Sequence, residues 1–80
     1  MSKSRRHITN ITINVSFLVG TSIKDAVEEA SDFAGELNVA YVAFDFNGVD
    51  MHISPRCNID FTVSEYHRVL LSNVPKHVVN

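Results

Sequence analysis

Apolar and polar residues begin to alternate at Ile11. Ile11, Ile13, Val15, Phe17 and Val19 are separated by Thr12, Asn14, Ser16 and Leu18. This period of two, carried largely by β-branched side chains, predicts a strand with one buried face. Gly20 ends it, and the period lengthens. Ile23, Ala26, Val27, Ala30, Phe33, Ala34 and Leu37 recur at three- and four-residue spacing, the single apolar stripe of a helix lying on a core. Ser22 stands where an N-cap oxygen is needed, and Asp25 and Glu28 sit near the positive helix end. Gly35 weakens the last turn, and Asn38 can take the left-handed conformation that stops a helix.

Alternation returns in the segment from Val39 to Pro55, interrupted by Asn47-Gly48. That dipeptide supplies the two positive-φ residues of a type I′ turn, so a two-residue hairpin is expected. It pairs Phe46 with Val49, Phe44 with Met51 and Val42 with Ile53, all on one face, and a one-residue slip would scatter them. Arg56 to Asp60 then reads as a polar connector. Thr62 and Glu65 form a capping box with Phe61 and Tyr66 in the staple positions, which predicts a second helix from about Val63 to Ser72. Its packed side carries Val63, Tyr66, Val69 and Leu70, with Asn73 near it. Pro75 stops it. Lys76 to Asn80 can fray or add an edge strand.

The expected fold is therefore α+β, a two-layer sandwich in the order β-α-β-β-α. A three-stranded mixed sheet is covered by an amphipathic helix, and a short C-terminal helix follows. The first two strands flank a helix and should run parallel through a right-handed crossover. Their neighbourhood in the sheet is left open.

Eighty residues with 45% apolar and 20% charged content describe one globular domain. Residues 1–7 lack apolar periodicity and are expected to form a flexible basic arm on a domain of residues 8–80. No apolar run approaches the ~20 residues of a membrane span, and no signal peptide is read. The one cysteine, Cys57, cannot form an internal disulfide, so a reduced, cytoplasmic setting is expected. The net charge of −2 divides unevenly. Residues 1–24 hold Lys3, Arg5, Arg6 and Lys24 with no acid, whereas residues 25–80 hold all nine acids and only Arg56, Arg68 and Lys76.

Candidate chemistry gathers on the second face of the sheet, where Asn10, Thr12, Asn14 and Ser16 should lie beside Tyr41, Ala43, Asp45, Asp50, His52 and Ser54. Asp45 and Asp50 oppose each other across the turn, a like-charge pair that a cation or a protonated His52 would relieve. No ligand spacing supports a metal site. Cys57 and His52 lack the third group that would make a nucleophile and its base. Gly20-Thr21-Ser22 reads as a helix start rather than a phosphate loop. No enzyme and no cofactor is expected. Helix one carries Asp25, Glu28, Glu29, Asp32 and Glu36 against Lys24 alone, a strip able to dock on a basic protein surface.

Gly20-Thr21-Ser22, the run from Asp25 to Ala30, Phe44-Asp45-Phe46-Asn47-Gly48-Val49, Ile53-Ser54-Pro55 and Tyr66 together resemble small bacteriophage-encoded proteins of unassigned function, over about residues 11–70. The resemblance implies a phage or prophage origin and a host protein as partner, in the host cytoplasm. The Gly-Thr-Ser helix start and β-α-β-β order are also similar to dodecins, which bind flavin. Their flavin-stacking tryptophan has no counterpart here, and this hairpin is shorter. The leading expectation is a non-enzymatic interaction protein that modulates a host protein. Its contacts would be Glu28, Glu29 and Asp32 on the helix and Thr12, Asn14, Tyr41, Asp45, Asp50 and His52 on the sheet. A homodimer fits a sheet with an open face. The alternatives are weak nucleic-acid binding through Lys3, Arg5 and Arg6, which the acidic body opposes, and a small ligand held at an oligomer interface.

Overall fold

A computed structural model describes residues 11–80. Six elements follow one another in an α+β arrangement: β1 (Thr12–Asn14), α1 (Ile23–Leu37), β2 (Tyr41–Phe46), β3 (Val49–Ile53), α2 (Ile59–Leu70) and β4 (His77–Val79). The β2–β3 hairpin has the expected register, with Phe46 opposite Val49, Phe44 opposite Met51 and Val42 opposite Ile53. Asn47 and Gly48 take φ values of 52° and 84°, the paired positive φ of a type I′ turn. Two contacts hold the tip. The Gly48 N–H donates to Asp45 Oδ1 at 2.9 Å, and Asn47 Nδ2 donates to Tyr66 Oη at 2.9 Å.

The sheet has four strands in the order β1-β2-β3-β4, which corrects the three-stranded sheet and the β-α-β-β-α order expected from the sequence. The helical region ends at Leu70, ahead of Pro75, and the chain beyond Pro75 returns along β3. Val78 is buried opposite Met51. Asp50 N–H donates to Lys76 O and Asn80 N–H to His52 O, both at 2.9 Å. The α2 crossover makes this last pair parallel, as α1 does for β1 and β2. β1 lies beside β2, the point left open above.

Strand one is shorter than its alternation suggested. Only Thr12 to Asn14 pair fully with β2, although Val15 N–H still donates to Ala43 O at 2.9 Å. Ile13, Val15 and Phe17 do turn toward the core, where they are half-buried. Leu18 and Val19, past the pairing, are exposed.

α1 begins and ends where its caps place it. Ser22 Oγ accepts from Asp25 N–H at 3.1 Å. At the other end Asn38 is left-handed, Val39 N–H donates to Ala34 O and Asn38 N–H to Gly35 O, a Schellman closure. The buried side of α1 is made of small residues, Ala26, Val27, Ala30, Ser31 and Ala34, which let the helix lie close on the sheet. Phe33 and Leu37 sit at the margin of the expected stripe, partly exposed.

α2 does not begin at the expected capping box. Asn58 is the cap, its Oδ1 accepting from Phe61 N–H at 2.9 Å, and the helix runs from Ile59 to Leu70 rather than from Val63 to Ser72. Thr62 is buried one turn in, and its hydroxyl donates back to Asn58 O at 2.7 Å. Glu65 turns the other way, to Arg68 at 2.8 Å. Phe61 is exposed, so no staple forms with it, and Asn73 lies exposed beyond the helix end. Both helices cover the same face of the sheet. The core joins α1 and α2 to Val42, Phe44, Val49, Met51, Ile53 and Val78. Phe17, Phe44, Phe46 and Tyr66 continue it as an edge-to-face row with centroid spacings of 4.9, 6.3 and 5.6 Å, a geometry the ring quadrupoles favour.

Candidate functional site

The position of α1 produces the first candidate surface. α1 packs mainly on β2, β3 and α2, and the inner side of the first strand is incompletely roofed. The result is a groove of about 290 Å³ lined by Val15, Phe17, Ala30, Phe33 and Val42 and rimmed by Glu29, Asp32 and Glu36. Its floor is hydrophobic, and the side chains on its helical rim are three exposed carboxylates. Residues 29, 32, 33 and 36 follow helical spacing and so share one flank of α1. The sequence places Glu29, Asp32 and Glu36 in one acidic strip, of which it reads Glu29 and Asp32 as contacts; Phe33, assigned to the core stripe, is the groove residue it does not single out.

Glu28 does not join them. It borders a separate hollow with Ser31, Asp32, Cys57 and Ile59, where α1 meets the start of α2. Ser31 Oγ donates to Pro55 O at 3.1 Å there, tying the helix to the connector.

The open sheet face brings together most of the other residues named from the sequence. Strand register sets Thr12 beside Tyr41; Asn14, Ala43, His52 and Val79 in one row; and Asp45, Asp50 and His77 in the next. Ala43 was expected on an open surface but is only 3% exposed, its small side chain being flanked in that row by Asn14 and His52. The Asp45–Asp50 opposition is present as read. Asp45 accepts the Gly48 N–H, and Asp50 Oδ1 lies 3.7 Å from His52 Nδ1, too long for a hydrogen bond. The His52 ring meets Tyr41 edge-on at 6.1 Å. His77 and Val79, brought by β4, were not foreseen on this face.

Lys3, Arg5 and Arg6, the basis of the nucleic-acid alternative, and Asn10 lie outside the described residues. Among the described residues no three His, Cys, Asp or Glu side chains gather to hold a metal ion, and no helix is long and apolar enough to cross a membrane. At the Gly20-Thr21-Ser22 start, the Thr21 N–H and hydroxyl both donate to Leu18 O, at 3.1 and 2.8 Å. The loop is thereby closed on itself.

The arrangement can do two things chemically. The groove offers apolar contact ringed by negative charge, and the sheet face offers a mixed polar surface with two imidazoles beside two carboxylates. Comparison with known proteins finds no matching family model, no matching curated protein and no matching solved structure.

Proposed function

We propose that this chain is a non-enzymatic interaction protein that docks a basic partner protein on the outer flank of α1. One observation carries the reading: an apolar groove and three exposed carboxylates occupy the same place, with only Lys24 as a basic residue on that helix. Apolar contact supplies affinity, and the carboxylates steer a basic surface and set its orientation. The resemblance to small phage-encoded proteins supplies the class of partner, a host protein.

The test is quantitative capture from a bacterial lysate by the parent and by a Glu29→Lys/Asp32→Lys/Glu36→Lys variant. All three residues are exposed, so the fold should survive. Support requires a partner that the parent retains and the variant loses, together with amide protection of α1 and β1 in the reconstituted complex. Equal capture by both proteins, or protection confined to β3 and β4, removes the reading.

A further inference from the structure

We propose that the occupant of this groove is an extended basic segment of the partner, added as a fifth strand along the outer edge of β1. The inference rests on the interaction reading above and deepens it. Among the described residues β1 is an edge strand, paired with β2 on one side only. Backbone groups of successive residues in a strand point to opposite edges. Val15 N–H donates to Ala43 O, and Ile11 O accepts from Ala40 and Tyr41 N–H, so the odd residues face β2. The N–H and C=O groups of Thr12, Asn14 and Ser16 therefore face outward, the template that strand addition uses.

The same parity aims Ile13, Val15 and Phe17 at the helix side. A strand laid beside β1 would put every second side chain into the groove, next to Val15, Phe17 and Phe33. Glu29 and Glu36 are two helical turns apart, about 10 Å at 1.5 Å per residue. Residues i and i+4 of a strand are about 13 Å apart, within reach of Lys or Arg side chains. The groove thus selects the pattern basic-x-apolar-x-basic. The apolar residue fills the floor, the basic residues meet the rim, and the intervening residues emerge beside Thr12 and Asn14. A second copy of this chain fits less well, because pairing β1 with β1 brings two acidic rims together.

The probe is a fluorescein-labelled peptide of nine residues with Arg at its third and seventh positions, Val at the fifth, and Thr or Ser elsewhere. Fluorescence anisotropy at low salt should give saturable binding that weakens as salt is raised. Glu29→Gln/Asp32→Asn/Glu36→Gln should weaken it by roughly fivefold, as two exposed ion pairs of about 0.5 kcal/mol each predict. A peptide N-methylated on the amides that would face β1 keeps its side chains and charge and should not bind. Hydrogen exchange should slow at Thr12, Asn14 and Ser16 in the complex. Binding of the methylated peptide equal to the parent peptide, with charge dependence retained, overturns strand addition while leaving the acidic docking surface. Binding indifferent to the rim neutralisation overturns both, as does the absence of saturable binding. Deletion of residues 1–7 should leave affinity unchanged. A gain on deletion would identify the chain's own arm as the occupant, and concentration-dependent dimerisation that the peptide displaces would identify a second copy. Either result overturns the assignment to a partner.

Discussion

The hairpin tip permits a test in which conformation and crowding separate cleanly. Gly48 sits at φ +84°, and a β-carbon placed there would meet no heavy atom within 4 Å. Substitution therefore costs only the local strain of holding an L-residue at positive φ, about 1–2 kcal/mol for an unbranched side chain. Valine should lie toward ~3 kcal/mol, because β-branching makes that conformation an outlier. Asparagine, which tolerates the left-handed region, should cost least. For a domain of this size 1 kcal/mol moves Tm by roughly 4–8 °C, so Gly48→Ala should lower it by about 4–16 °C. Circular dichroism melts and urea unfolding would measure the series, with the urea m value unchanged if only stability shifts. The order expected is Gly48→Asn, then Gly48→Ala together with Gly48→Leu, then Gly48→Val. A Tm for Gly48→Ala equal to the parent would refute the turn geometry. A loss that grows from Ala to Leu to Phe would refute the open space around it.

Three further outcomes follow from α2 and its ends. Asn58→Ala should destabilise by about 1 kcal/mol through loss of the N-cap, read as a lower urea midpoint; no change would return the cap to Thr62. The Arg68 guanidinium, hydrogen-bonded to Glu65 at 2.8 and 3.2 Å, holds the Glu65 carboxyl below its ordinary range. Its contribution to stability is thus present above the ordinary glutamate value and lost as pH falls through the lowered one. Unfolding midpoints of the parent and Glu65→Gln should therefore converge in acid, and a pH-independent difference would count against the pair. Lys76 Nζ donates to Val69 O at 2.8 Å and Leu70 O at 3.1 Å, and also to Ser72 O, closing the end of α2 from the start of β4. Lys76→Met should cost about 1 kcal/mol, and an unchanged denaturation midpoint would show those contacts to be idle.

What the sequence revealed, and what it hid, depends on how local each determinant is. Asn47-Gly48 fixes a turn within two residues, so the hairpin register is legible directly. Ser22 and Asn38 bracket α1 in the same way. The start of α2 was misread because Thr62 and Glu65 imitate a capping box, whereas Asn58 lay in a connector with no apolar period to draw attention to it. β4 contributes one buried side chain, Val78, too little for a periodic signal. The acidic strip of the candidate site was legible as helical spacing. The groove was not, since it depends on how far α1 is displaced from β1, a tertiary outcome of packing α1 against α2.

The two flanking strands also have a kinetic consequence. Residue 12 meets 41 across α1, and residue 50 meets 77 across α2, so among the described residues the central hairpin is the only sheet contact that closes a short loop. The two longer loops are nearly equal, and their closure entropies differ by less than about 0.1 kcal/mol. Chain length thus gives neither half a head start once the hairpin has formed. Helix strength decides the order, and the longer α1, capped at both ends, favours β1 docking before β4. Substitutions at the hairpin should then slow folding, while those in β4 should mainly hasten unfolding.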